Sequence, residues 1–375
     1  MLTNRRTIGA KVEATYGSAE TIAAGDLFFA YNIKFSPNVE EWARNPHKPS
    51  MSPLAPVKGR SRASISFDVE LMGSGTAGTA PFWSPLMQAC GRSLTTVAST
   101  SNTYDYATTS LKGITIKAFL DGVSVRMKGC RGSASCEMVA GQVPMLSFTF
   151  EGLWDYGTDT DAWKDEALVS GTAYPSFSPK PFIAALLKID SYKALSERMS
   201  WNDNNTLTAV PEANTVSVYK RVDITGRAPS GNLDAEAVTI ATKDFMDLFV
   251  KKSQVAISAY VGGDDSGNGT GSLNTMTDST KNWRTDQFSS GYKLEDSAGA
   301  TFTPTANGAT TITVSGTPAS GDYIIYEEGK LIKVSAPKVV VDTVSDDDKG
   351  GIYNFGIPFK FFQSSGDDEL TIKVT

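Results

Sequence analysis

Apolar residues recur at every second position in six separate stretches of this chain. They are "SISFDVEL" (64–71), "ITIKAFL" (114–120), "MLSFTFEG" (145–152), "TVSVYKRVDITG" (215–226), "VAISAYV" (255–261) and "KVVVDTV" (338–344). In an extended chain a period of two sends alternate side chains to opposite faces, so each stretch reads as a strand with one face in a core and one in water. The fold class is therefore mainly β. Two stretches depart from the pattern, "APFWSPLMQACG" (80–91) and "TKDFMDLFVKK" (242–252). Their apolar spacings of three and four predict short amphipathic α-helices, the second with lysines in its last turn.

The order of these pieces repeats. The first half reads strand 64–71, helix near 81–90, strand 113–120, a tight turn at Asp121 and Gly122, strand "VSVRMKG", a Gly-rich connection, then "VPMLSFTFEG". The second half reads strand 215–226, helix 243–251, strand 255–261, an interruption, strand 330–336, a connection with "DDDKGG", then "GIPFKFF" (356–362). Matching order element by element implies an internal duplication. The expected division is 1–180, 181–262 with 329–375, and an insert at 263–328.

The insert falls where the first half turns a hairpin with Asp-Gly. Spending 66 residues on such a turn raises the closure cost by only ~3 kcal/mol, and hairpin tips tolerate insertion. Its opening, "GGDDSGNGTGS" (262–272), reads as a flexible hinge, and residues 273–328 as a small β domain with Trp283 and Phe288 in its core. The insert holds nine acidic and three basic residues, which leaves 32 of each sign in the rest of the chain. The net charge of −6 thus belongs to the insert, as suits a solvated outward domain.

Candidate chemistry is sparse. The one histidine, His47, lies in a polar loop interrupted by prolines, which argues against imidazole catalysis. Asp264, Ser266, Asn268 and Gly269 imitate the start of a calcium loop, but its twelfth position is Thr275 rather than a glutamate. "GSGTAGTA" (73–80) lacks the Lys-Ser/Thr ending of a phosphate loop, and Cys130 and Cys136 have no further ligands for zinc. Three cysteines are too few for a disulfide framework and suit a reducing compartment. No apolar run is long enough for a membrane helix, and the N-terminus carries no secretory pattern. The expectation is a structural or binding protein with no catalytic residues, no metal and no cofactor.

The stretch "MLTNRRTIGAKVEATYGSAETIAAGDLFFAYNIKFSPNVEEWARNPHKPSMSPLAPVKGR", followed by "SISFDVELMGSG", "LMQACG" and "GCRGSASCEMVAGQVPMLSFTFEGLWD", resembles the major tail tube proteins of long-tailed bacteriophages. The resemblance covers residues 1–180, reaches the second half through the duplication, and includes no active-site signature. It implies two tandem tail-tube-like β-sandwich or barrel units, each with a short helix. It also implies rings whose strands close one barrel, stacked into a tube in the virion tail that conducts double-stranded DNA. Assembly would take place in the host cytoplasm. Partners would be the tape measure, tail terminator and distal tail proteins. Since family rings are commonly hexamers of single units, two units per chain favour a trimeric, pseudo-hexameric ring, with a hexamer as the alternative.

Alternation then nominates a lumen wall. The polar faces of "SISFDVEL" and "LSFTFEG" offer Asp68, Glu70 and Glu151, and Asp223 offers a fourth carboxylate, a lining that would repel phosphates. The proline-rich segment 35–62, with Trp42, Arg44, Pro46, His47 and Pro49, is expected to extend to a neighbouring ring or subunit. A carbohydrate-binding or adhesive surface protein is the rival reading. It lacks support from a secretion signal or a concentration of exposed aromatics in the sequence.

Overall fold

The computed structural model describes residue 2 and residues 4–172, 174–214 and 219–375, so the start of the expected strand 215–226 lies outside the described residues. The first strands are β1 (Thr7–Val12), β2 (Leu27–Phe28), β3 (Tyr31–Arg44) and β4 (Leu54–Glu70), followed by helix α1 (Ser84–Ala89). Next come β5 (Arg92–Val97), β6 (Ser101–Tyr106), β7 (Ile114–Phe119), β8 (Gly122–Val139), β9 (Met145–Leu153) and β10 (Trp163–Glu166). Then come β11 (Lys188–Ile189), β12 (Tyr192–Lys193), β13 (Ser196–Asn202), β14 (Thr206–Pro211), β15 (Tyr219–Gly226), β16 (Ser230–Glu236), helix α2 (Phe245–Lys251) and β17 (Val255–Val261). Seven strands fill residues 263–327: β18 (Gly263–Ser272), β19 (Thr275–Thr277), β20 (Tyr292–Glu295), β21 (Thr301–Phe302), β22 (Pro304–Asn307), β23 (Thr311–Val314) and β24 (Gly321–Glu327). The chain ends with β25 (Ile332–Val341), β26 (Ser345–Lys349), β27 (Ile352–Phe362) and β28 (Thr371–Val374).

Strand pairing runs through one order twice. In the first half it is β2–β1–β7–β8–β9–β4–β3, with β10 on the outer edge of β8. In the second half it is β12–β11–β17–β25–β27–β16–β13, with β28 on β25. By position the counterpart of β4 is β16, not the stretch 215–226. That stretch supplies β15, which among the described residues pairs only with β14 and lies against β4, β8 and β9 of the first half. Its alternation is real, but Tyr219 and Val222 bury against the other half rather than in a sheet of their own.

Each helix sits where its sequence stops supporting a strand. Pro85 occupies the first turn of α1, where its missing N–H costs nothing. Asp244 caps α2 by accepting from the Asp247 amide (2.8 Å), and Lys252 ends it in the left-handed region. Both helices contribute to one continuous core shared by the two halves, with Phe67, Phe148 and Phe150 from one and Trp201, Phe359 and Phe361 from the other. At the junction Arg92 and Asp203 form an ion pair (2.6 Å) with no exposed surface on either side chain. Arg92 also donates to the Leu370 carbonyl (2.8 Å) and stacks on Tyr106 and Trp201, and the Tyr106 hydroxyl donates to Asp203 (2.6 Å).

All three cysteines are buried and reduced, and burial pushes each thiol up. The native chain is expected to show no thiol reacting with a disulfide reagent near neutral pH, against three after unfolding in urea. A spectrophotometric thiol titration checks this.

The segment 262–272 is not a hinge. Residues 263–269 form an antiparallel ladder with β24, with Gly267 opposite Tyr323 and Gly269 opposite Gly321. The seven insert strands make one sheet around Met276, Trp283, Phe288, Leu294, Ile312, Tyr323 and Ile325. The insert leaves and returns between Val261 and Ile332, which are paired neighbours. Nor does it swing freely. Lys180 binds Asp264 (2.6 Å) and Glu327 (2.7 Å), while Lys188 (2.5 Å) and Lys193 (2.6 Å) hold Asp322.

Burial raises the Asp322 carboxyl, but hydrogen bonds from Lys188, Lys193 and Asn268 outweigh it and hold the group at about 2. A carboxylate depressed by folding contributes its stability above its unfolded pKa of about 4 and loses it as pH falls through the folded value. Insert docking is thus expected to weaken by about 2 kcal/mol between about pH 4 and pH 2. Faster hydrogen exchange at the edges of β11 and β24 in that window is the readout.

Candidate functional site: a polar wall and its arm

Eight strand segments lie side by side in the order β3–β4–β9–β8–β13–β16–β27–β26, four from each half of the chain. One face of this sheet is apolar and enters the shared core, through Ile65, Phe67, Leu146, Phe148, Met199, Trp201, Leu233 and Ile357. The opposite face is made by the alternate residues. Ser66 sits opposite Thr149, which sits opposite Ser133, and Ser135 sits opposite Asn202, which sits opposite Ser230.

Asp68, Glu70 and Glu151 all lie on this polar face, at the alternate positions that the period of two assigns them. None is a free carboxylate. Asp68 accepts from the Asn32 side chain (2.7 Å), Glu70 accepts from the hydroxyls of Tyr31 (2.8 Å) and Tyr174, and Glu151 is paired with Arg62 (2.8 Å). Farther along the wall Arg198 lies between Glu137 (3.2 Å) and Asp234 (3.5 Å). Glu151 with Arg62 and Arg198 with its two acids are ion pairs, whereas the donors to Asp68 and Glu70 are uncharged side chains, so the wall is hydroxyl-rich with only part of its charge paired in place. Arg62, Arg198 and Asp234 were legible by the same alternation; attention to carboxylates alone passes over the arginines beside them.

Asp223 is elsewhere. It sits on β15, outside the eight-stranded sheet, where it pairs with Arg131 (2.6 Å) and Arg221 (2.6 Å). Arg131 also stacks on Tyr16, whose hydroxyl receives the Val222 amide. This group fastens the β14–β15 hairpin to the first half.

The segment 35–62 is a hairpin arm rather than an unpaired extension. β3 and β4 remain paired from Tyr31 opposite Asp68 out to Arg44 opposite Leu54, which leaves residues 45–53 as the tip. Prolines do keep this stretch extended, but Pro37 lies on an outermost strand, where a missing N–H is tolerated. Trp42 and Arg44 lie near the end of β3, and Pro46, His47 and Pro49 in the tip; all five are exposed, and Trp42 keeps 74% of its surface. Tyr219 of the β14–β15 hairpin reaches this arm through a hydrogen bond to Glu40 (3.0 Å).

Among the described residues no three His, Cys, Asp or Glu side chains are grouped to hold a metal ion, and no helix is long and apolar enough to cross a membrane. No curated protein matches the chain. A family model described as phage tail tube protein matches residues 3–322. That span takes in most of the chain, including both ends of the polar wall's first half and the arm, and the chain belongs to the phage tail tube protein family.

Proposed function

We propose that three copies of this chain close into a ring, that the eight-stranded polar wall of each copy lines its channel, and that stacked rings conduct DNA during ejection. The tail tube family supports a structural, non-enzymatic component of the virion tail that assembles with itself and with other tail proteins. The observation that carries the finer reading is the repeated strand order, joined by pairing of β8 with β13. It supports an internal duplication in which one chain supplies two adjacent ring positions.

Width favours three chains. Twenty-four strands spaced about 4.8 Å apart and tilted by about 40° close at a backbone diameter of roughly 50 Å, enough for a DNA duplex with side chains in place. Six chains would double that and leave a loosely fitting bore. A hydroxyl-rich wall whose Arg62 and Arg198 are already held by carboxylates has little cationic charge left to condense on phosphate, so a passing duplex meets little electrostatic drag. Native mass measurement of assembled rings tests the count: three chains are expected, and six would overturn it.

The β3–β4 arm is assigned to contact between rings or neighbouring subunits. Joining Arg44 to Leu54 through a short turn should leave a soluble, folded chain that forms no tubes in electron micrographs. Tubes of normal length from that variant would remove the arm from this role.

A further inference from the structure

We infer that the seam between neighbouring chains is an antiparallel pairing of β3 from one copy with β26 of the next, in the register of the junction that the chain already makes between β8 and β13. The inference rests on the ring reading above and names the surfaces that would close it. Both ends of the eight-stranded wall are open. Among the described residues β3 pairs only with β4, and β26 only with β27. An unpaired strand edge is a template for another chain, and these two lie at opposite ends of one sheet, so each copy offers one of each.

The internal junction fixes the register. Phe35 faces Ile65 on β4, and Ile65 faces Phe150 on β9; in the second half Trp201 faces Gly231 on β16, and Gly231 faces Phe359 on β27. Phe150 and Phe359 are equivalent, because each lies opposite the residue two places past Cys130 or Val339, which pair with Ile114 and Val255 at a bulge both halves share; Phe35 therefore occupies the place of Trp201. Likewise Cys136 opposes Leu146, four residues before Phe150, while Asp346 opposes Phe355, four residues before Phe359. Asp346 therefore occupies the place of Cys136. Inside the chain Cys136 pairs with Trp201 and Glu137 with Ser200. Between chains the same step sets Asp346 opposite Phe35 and Asp347 opposite Lys34.

Chemistry agrees with that register. Lys34 and Asp347 are both exposed in the single chain, and the register brings them face to face on the polar wall, where opposite charges favour pairing. The run Asp346, Asp347 and Asp348 leaves β26 strongly acidic, which deters pairing with a second β26 and favours an edge that carries lysine. The β3 edge is also guarded. Arg6 donates to the Ile33 carbonyl (2.8 Å), and Ile33 lies in the bulge between Tyr31 and Lys34, next to the proposed contact. Arg6 thus holds a β3 carbonyl one residue from Lys34, and on this reading its release would accompany closure.

The test is a cysteine pair, Lys34→Cys with Asp347→Cys, in the full chain, whose own cysteines are buried. Residues opposed in an antiparallel pair fall within disulfide reach. Oxidised assemblies should run as covalent dimers and trimers on a denaturing gel, and each single variant as monomer. Assemblies that form normally yet run as monomer overturn the seam, whereas a wild-type chain that forms no rings overturns the ring reading beneath it. Should the cysteine pair fail to fold, the charge swap serves. Lys34→Asp or Asp347→Lys alone should slow ring formation severalfold, and the two together should restore it; no restoration overturns the register. Arg6→Ala should shorten the lag before rings appear in light scattering, and a lag unchanged from wild type removes Arg6 from its guarding role.

Discussion

Asp203→Ala is expected to cost about 3–5 kcal/mol, a large part of the stability of an ordinary domain. The substitution strands the Arg92 guanidinium, which has no exposed surface, and removes the acceptor of the Tyr106 hydroxyl in the same stroke. A buried charge without its partner cannot recover its hydration, so the loss exceeds what the ion pair itself contributes. Arg92 belongs to the first half of the chain and Asp203 to the second, and the core around them is shared. The urea transition should therefore move to lower concentration as one event. A change below about 1 kcal/mol, or an early transition confined to one half, would show that the pair does not weld the halves together.

The second large effect concerns the strand that reads as a linker. A Cβ added at Gly271 would stand 1.9 Å from the Pro318 carbonyl oxygen, and one at Gly267 would stand 2.3 Å from Asp278 and 2.6 Å from the Tyr323 hydroxyl. Backbone cannot step aside as a flexible side chain can, so Gly271→Ala should destabilise the insert by about 1–3 kcal/mol. Protease cleavage within 263–328 should accelerate accordingly, while the rest of the chain keeps its melting temperature. A linker glycine would give the opposite sign, since alanine restricts the unfolded chain and stabilises slightly. Cleavage no faster than wild type would therefore return the segment to a linker.

These glycines explain where sequence reading falls short. Strands with one wet face were legible, because alternation in "SISFDVEL" and "VAISAYV" records burial directly, and so were both helices from their apolar spacing. β18 was not, because its register is set by what crosses it: Asp278, Tyr323 and Pro318 come so close that only glycine fits, and the result has the composition of a loop. β15 failed differently. Its alternation was visible, yet nothing local says whether a two-faced strand buries against its own half or the other one. Asp68, Glu70 and Glu151 were placed on one face by the same rule that found the strands, whereas Glu137 and Asp234 went unnoticed, and the pairing of Glu151 with Arg62 and of these two with Arg198 depends on neighbouring strands that no single stretch reveals.

The junction of β8 with β13 also bears on how fast such an assembly can form. Each encounter between free molecules forfeits translational and rotational freedom, a toll of several kcal/mol that a contact within one polypeptide has already met during folding. A ring of three such chains makes three of its six junctions before any two molecules meet. Only two collisions have to succeed, because the third junction between chains closes within the trimer, and partly closed rings have fewer ways to stall.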